Sequence, residues 1–238
     1  ENVHEIPAED VRHQQFDILL FQSHRNYLVD QFEILSEEQQ KLPRLYLEHD
    51  PQREHPTETR HPVDDPNMLL VHVTHFNRMM WDNNRTPSTV IEHGVLVPDD
   101  VAYTGELEKG IVIVNNMAKR AQLPAFEDRY RLFFTPIRYT SLGLAVCEAM
   151  MVGLPVIGMA TTEMVSAVHN GVNGFVDTDI DNVIEKMKEL LNDADQARKL
   201  SAGARAYARE RFSIERFARD WTTAFHLASE NYLTPTSM

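Results

Sequence analysis

The chain has 238 residues, 42% of them hydrophobic and 25% charged, with a formal net charge of −13. That length suits one large or two small domains, and the composition is ordinary for a soluble globular protein. The acid excess argues against nucleic acid as a partner, and no apolar run approaches the roughly 20 residues that span a bilayer. Residues 1–110 carry 21 acids against 9 Lys and Arg, whereas residues 111–238 carry 15 against 14. An anionic ligand therefore belongs in the second half, and the first half has no basic face for anionic lipid. The one cysteine, Cys147, excludes an internal disulfide and suits a reducing cytoplasm. Its apolar neighbours make it a small buried hydrophobe rather than a nucleophile. No signal peptide is visible, and the chain starts at Glu1.

In chain order, Phe16–Gln22 reads as a buried strand. Residues 27–40 read as a helix, with Leu28, Phe32 and Leu35 spaced for one face. Arg44–Glu48 is a second strand, ending at His49 and Asp50. Residues 51–66, with four prolines and many charges, read as a surface loop. Met68–Thr74 is a third strand, His75–Trp81 a short helix, and Thr89–Glu92 leads to a turn at His93–Val95. Residues 96–109 are acidic and irregular, which suggests a linker, so the expected domains are 1–105 and 106–238. Gly110–Val114, Leu132–Thr135 and Pro155–Gly158 are strands of the second unit. Helices follow at 180–193, 195–210 and 214–229, the last capped by Ser213 with Phe212 and Phe217 as a hydrophobic staple. Strands alternating with helices predict a parallel sheet in each half, an α/β fold.

The most informative segment is Thr135–Gly158. It reads as strand end, polar loop, apolar helix, glycine stop and buried strand. Thr140 or Ser141 is the expected cap, Leu142, Ala145, Val146, Ala149 and Met150 follow at helical spacing, and Gly153 with Pro155 ends the helix. Such a helix start, following a parallel strand, is a site for phosphates. Glu148 is a carboxylate among apolar neighbours, a costly place unless it has a partner or a job. It lies about 7.5 Å along the axis from Gly143. A diphosphate on the amides of Gly143 and Leu144 leaves Glu148 near a sugar's hydroxyls, which a carboxylate accepts well. Arg138 is placed to clamp phosphate or to pair with a surface acid. Histidines 55, 61, 72 and 75 have no Cys and no HxxxH spacing to support zinc, so no metal site is expected. His72 alternates into a buried strand.

Pro136, Gly143-Leu144, Glu148-Ala149-Met150, Gly153-Leu154-Pro155-Val156, Glu163 and Asn170–Val176 together resemble the nucleotide-sugar site of family 4 glycosyltransferases, of the GT-B architecture. Leu42–Asp50 resembles the family strand that ends in a histidine near the acceptor. Thr89–Val95 resembles the segment that closes the first domain, with His93 where Asn is usual. Ile111–Arg120 resembles the first strand and loop of the donor domain. The resemblance covers roughly residues 14–230 and implies two Rossmann-like units, incomplete relative to the family at the N-terminus and between Arg120 and Leu132.

It further implies a retaining transferase that moves a sugar from a nucleotide-diphosphate sugar to a hydroxyl, without an obligatory cofactor or metal. Lys119, Arg120, Arg138, Thr140, Ser141, Gly143, Leu144 and Glu148 would hold the donor, with Glu148 on the ribose. His49 would serve the acceptor, and Glu163 would approach the donor sugar. The implied acceptor is a saccharide or lipid-linked saccharide of the cell envelope. The implied location is cytoplasmic or peripheral to the inner face of the membrane. Thr140 stands where the family has its first glutamate, so a second reading stays open: a catalytically degenerate module that binds a nucleotide sugar or a partner. A third is a doubly wound domain that binds a mononucleotide only.

Overall fold

The computed structural model describes residues 3–55, 59–98, 100–113 and 128–233. They form two compact units, Glu1–Ile91 with Arg219–Met238, and Glu92–Ala218. Each has a sheet of four parallel strands whose spatial order follows chain order. Among the described residues neither order reverses, so each sheet is one flank of a doubly wound arrangement without its switch point.

In unit 1 the strands are β1 (Leu19–Phe21), β2 (Arg44–Glu48), β3 (Leu69–His72) and β4 (Ser88–Val90). β2 and β3 run Leu45 beside Leu69 through Glu48 beside His72. Phe21, Tyr46, Val63, Met68 and Leu70 make the core on one face. The first helix, α1, is the single turn Ala8–Val11. The predicted helix over 27–40 is broken. A π-helical turn at Asn26–Asp30 runs into α2 (Gln31–Ile34), Leu35 is extended, and a 3₁₀ turn follows at Gln39–Lys41. The cause is a reciprocal cap at Ser36 and Gln39. Ser36 Oγ accepts from Gln39 N at 3.2 Å, and Gln39 Oε1 accepts from Ser36 N at 2.9 Å. This pair starts a new turn where the apolar spacing alone continues the old one. Leu28 and Phe32 are accordingly exposed rather than buried. α3 (His75–Met80) is capped by Thr74, whose hydroxyl accepts from Asn77 N.

Residues 51–66 are not simply a surface loop. His61 is 2% exposed and Val63 is fully buried. Asn84, in the left-handed region at φ 51°, donates its side-chain amide to His61 O at 2.7 Å and Val63 O at 3.1 Å. Asparagine tolerates that conformation, so a turn 21 residues beyond Val63 holds the loop inward.

In unit 2 the strands are β5 (Leu107–Ile111), β6 (Tyr130–Thr135), β7 (Val156–Met159) and β8 (Gly174–Asp177). The helices are α4 (Leu144–Val152), α5 (Met164–Ala167), α6 (Ile180–Asn192) and α7 (Ala194–Arg211), before α8 (Ile214–Leu233). Alternate residues of β6 and β7 face opposite cores. Phe133 and Val156 join Val146, Ala149 and Met150 of α4. Leu132 and Ile157 join Val183, Leu190, Ala197 and Leu200 of α6 and α7. Gly203 sits mid-helix because a Cβ there would lie 2.0 Å from Val172 O. Ser213 caps α8 as expected, accepting from Arg216 N at 3.3 Å.

The expected division at 105/106 moves to 91/92, and residues 219–238 group with unit 1. The stretch 96–109, expected as a linker, is bonded into unit 2 in its described residues: Tyr103 N donates to Val152 O at 3.2 Å, Tyr103 Oη donates to Arg131 O at 3.0 Å, and Thr104 N donates to Asp128 O at 2.8 Å. An acidic composition did not reveal backbone bonds made to residues far along the chain.

Thr162, in the turn after β7, is held at φ 49°. For a β-branched residue that conformation costs about 1–2 kcal/mol, whereas glycine adds about 0.4–1 kcal/mol of unfolded-state entropy. Thr162→Gly is therefore expected to stabilise unit 2 by up to about 1 kcal/mol in urea denaturation. A loss of stability would mean that the threonine side chain contributes more than the strain it carries.

Candidate functional site

The segment from β6 to α4 is built largely as the sequence predicts, with one correction. The cap of α4 is neither Thr140 nor Ser141 but Gly143, extended at φ −68° and ψ 141°, with no side-chain hydrogen bond. A Cβ on Gly143 would meet no atom within 4 Å. The cap residue itself thus offers the first amides of α4 no side-chain acceptor, and the space beside Gly143 is open. The far end closes as expected. Gly153 at φ 104° donates to Ala149 O and Met150 O, and Leu154 N donates to Ala149 O at 2.8 Å. Thr140 is half-buried and Ser141 is 7% exposed. Arg138 is exposed beyond the end of β6 and makes no hydrogen bond or ion pair with the described residues. Glu148 is half-buried and makes none either. Cys147 is fully buried, and that burial pushes its thiol up to about 12, which makes it inert. Lys119 and Arg120 lie outside the described residues.

Glu163 has a different setting from the one the resemblance implies. Its side chain is 2% exposed and bonds Arg211 Nη2 at 2.8 Å and the Ser166 hydroxyl. Arg211 also donates to Glu92, with Nε 3.0 Å from both carboxylate oxygens, to Ser166 O at 2.7 Å and to Tyr207 Oη. Burial alone would lower the guanidinium's pKa, but the hydrogen bonds and charge of Glu92 outweigh it and hold the pKa above the ordinary value. The carboxylate is engaged in this network, which ties the turn after β7 to the end of α7.

A concave region belongs to unit 1. A cavity of about 480 Å³ opens at the carboxyl ends of β1 and β2, lined among others by His24, Glu48, His49, Arg53, His55 and Trp81. His49 is exposed there, with Nε2 3.3 Å from Gln22 Oε1. The end of a parallel strand is the usual position for a site residue. Behind it lies a polar cluster that the sequence reading missed. Glu48, last in β2 and 6% exposed, has Oε2 3.1 Å from His61 Nε2 and 3.4 Å from His24 Nε2. Its Oε1 accepts from Asp50 N at 2.9 Å. Burial would raise the Glu48 pKa, but His61, the Asp50 amide and His24 together hold it below the usual carboxylate value. Glu48 is therefore ionised at neutral pH. An acidic residue at the last position of a predicted buried strand was the available signal, and His61 lay in a segment read as surface.

Residues 99–207 match the family model described as Glycosyl transferases group 1. No curated protein matches the chain. Among solved structures, the chain is similar to Staphylococcus aureus TarM at 13% identity and a TM-score of 0.64, over 87% of this chain and 55% of that one. Anabaena HepE is similar at 13% identity and 0.64, over 92% and 80%. A glycosyltransferase of Rickettsia africae is similar at 14% identity and 0.63, over 96% and 80%. The chain thus spans little more than half the length of TarM. No described helix is long and apolar enough to cross a membrane. Together these likenesses place the chain's two parallel α/β sheets in the GT-B fold of glycosyltransferases, with the group 1 match confined to residues 99–207.

Proposed function

We propose that this chain serves a glycosyltransferase that moves a sugar from a nucleotide-diphosphate sugar to a hydroxyl acceptor. The observation that carries the reading is the start of α4. Its cap residue is a glycine with no side chain to accept, the space beside Gly143 is open, and Glu148, one turn inside, makes no hydrogen bond or ion pair with the described residues. Unsatisfied amides at a helix start favour an anion, and they would stabilise a departing diphosphate without moving. Arg138 is available to the same phosphates, and Lys119 or Arg120 would add charge. Glu148 would take the ribose hydroxyls. The solved structures of TarM and HepE with UDP support uridine diphosphate as the nucleotide portion of the donor. No cofactor is required by this scheme.

In the same reading His49 serves the acceptor, a saccharide or lipid-linked saccharide, from the unit 1 cavity. Transfer proceeds with retention, in envelope polysaccharide assembly at the cytoplasmic side of the membrane; the motif resemblance supports these finer points. A second reading, a module that binds a nucleotide sugar without turnover, is favoured by Thr140 in place of the family's glutamate.

Calorimetry with a panel of UDP-sugars tests both readings. Glu148→Ala is expected to weaken binding about 10- to 100-fold, the effect of losing a charged hydrogen-bond partner worth about 1.5–3 kcal/mol. Nucleotide release on adding saccharide acceptors supports the transferase. Binding without release supports the module, and no binding by folded wild type rejects both.

A further inference from the structure

Glu48 is a buried, ionised carboxylate that lines the unit 1 cavity. Among the described residues no Lys or Arg pairs with it; the groups within ion-pair reach are the imidazoles of His24 and His61. His61 supplies no positive charge. Val63 N donates to His61 Nδ1 at 3.1 Å, so that nitrogen keeps its lone pair and the ring proton sits on Nε2. Nε2–H then donates to Glu48 Oε2 at 3.1 Å. The same tautomer argues against a metal ion. The ligand atoms of His24, Glu48 and His61 lie within 4.8 Å of one another, but His61 Nε2 has no lone pair free to bind one. The buried anion is thus held by two neutral donors, His61 and the Asp50 amide, which reaches Oε1 at 2.9 Å. A carboxylate oxygen accepts two hydrogen bonds, so each oxygen of Glu48 has a further acceptor position.

The rest of the cavity has the same sign. Its lining carries Glu48, Asp50 and Glu54 against Arg53, whose Nη2 is already 2.8 Å from Asp50 Oδ1. Tyr46 and Trp81 also line it, both buried, and Trp81 is fixed by Nε1 donating to Asp50 O at 3.0 Å. Such ring walls displace water, and a charge beside them acts more strongly than one in bulk solvent.

We propose that the unit 1 cavity binds a ligand that bears a primary ammonium group, and that this ammonium is the counter-ion of Glu48. Its N–H donors match the acceptor positions left on the carboxylate. A cavity of about 480 Å³ has room for a saccharide unit, which makes an amino sugar the fitting class of ligand. Within the glycosyl-transfer reading, in which this cavity takes the acceptor, the acceptor is then an amino-bearing saccharide. The ammonium site itself needs only residues of unit 1.

The test is calorimetry of the full chain with glucosamine and with glucose at about pH 7, where the amine is mainly protonated and imidazole mainly neutral. Glucosamine is expected to bind at least about tenfold more tightly than glucose, the worth of a charge-assisted hydrogen bond at a buried site. Glu48→Gln is expected to abolish that preference. His24→Arg gives a second arm should the buried substitution fail to fold. His24 is half exposed, with Nε2 3.4 Å from Glu48 Oε2, so a guanidinium from this position supplies a fixed counter-charge and also abolishes the preference. Equal binding of the two sugars, binding of neither, or a preference that survives in either folded variant overturns the proposal. So does zinc, if it displaces glucosamine in competition. Binding of UDP-sugars by the same chain is read separately. If they bind but glucosamine has no advantage, this inference falls and the transfer reading stands; the reverse result retains the ammonium site and removes the transfer reading.

Discussion

Arg211→Met is expected to destabilise unit 2 by about 3–5 kcal/mol in urea denaturation, the usual cost of leaving a buried charge without its partner. Arg211 joins Glu92 at the start of the unit to Glu163 and Ser166 after β7, and its side chain is 14% exposed. Methionine keeps much of the packing volume but supplies none of the donors. Glu163, at 2% side-chain exposure, then keeps a desolvated carboxylate that faces the neutral Ser166 hydroxyl in place of a guanidinium. The effect belongs to the broken pairing rather than to the worth of an ion pair as such. Adding Glu92→Gln and Glu163→Gln to Arg211→Met is therefore expected to recover most of the loss, since buried ionic clusters replaced as a whole often cost little. If the single change costs under about 1 kcal/mol, the network contributes no more than surface pairs do. If the triple variant is as unstable as the single one, geometry rather than charge is the cause.

Acid is the second large lever, and it acts on unit 1. His72 is fully buried in β3. Its Nε2 lies 2.7 Å from Asn83 Oδ1, which can only accept, so Nε2 carries the proton and Nδ1 is buried with no hydrogen-bond partner among the described residues. Burial lowers its pKa from 6.5 to about 4, against a raising contribution from the Asn83 hydrogen bond. His61 pushes the same way as burial, whereas the Glu48 charge opposes it. The folded pKa is below the unfolded one, so the unfolded chain binds more protons between them. Stability from this group is complete above about pH 6.5 and is lost as pH falls toward 4, up to about 3 kcal/mol in all. Glu48, whose pKa is held below the ordinary value, adds a loss of the same sign at lower pH still. Urea denaturation at pH 7.5, 6.5, 5.5 and 4.5 checks this for wild type and His72→Leu (the pH values are about one unit apart to bracket the window). The wild type should lose stability through that range, and the variant should lose markedly less. Equal slopes for the two would show that His72 does not carry the acid sensitivity.

Local patterns carried a large part of this protein. β2 is found at the predicted Arg44–Glu48, and the predicted helices at 180–193 and 195–210 differ from α6 and α7 by one residue at most ends. These elements have periodic apolar faces and strong caps, such as Asp193 accepting from Asp195 N and Gln196 N, so neighbouring residues specify them. The glycine stop at Gly153 and the buried setting of His72 were legible for the same reason. The helix expected over 27–40 failed because two readings competed locally, and the Ser36–Gln39 cap prevailed over apolar spacing. The start of α4 was legible as a helix start but its cap position was not, because Gly143 rather than Thr140 or Ser141 takes it.

The sequence by itself determined the parallel α/β class, most element positions and the residues around Gly143 and Glu148, since each rests on residues within a turn or two of one another. Only the tertiary structure decided what Glu163, Glu48 and His61 face. Arg211 meets Glu163 across 48 residues and Glu92 across 119, and His61 reaches Glu48 from a proline-rich loop 13 residues on. Buried charges are tolerated where the fold brings partners to them, and sequence spacing carries no record of that distance.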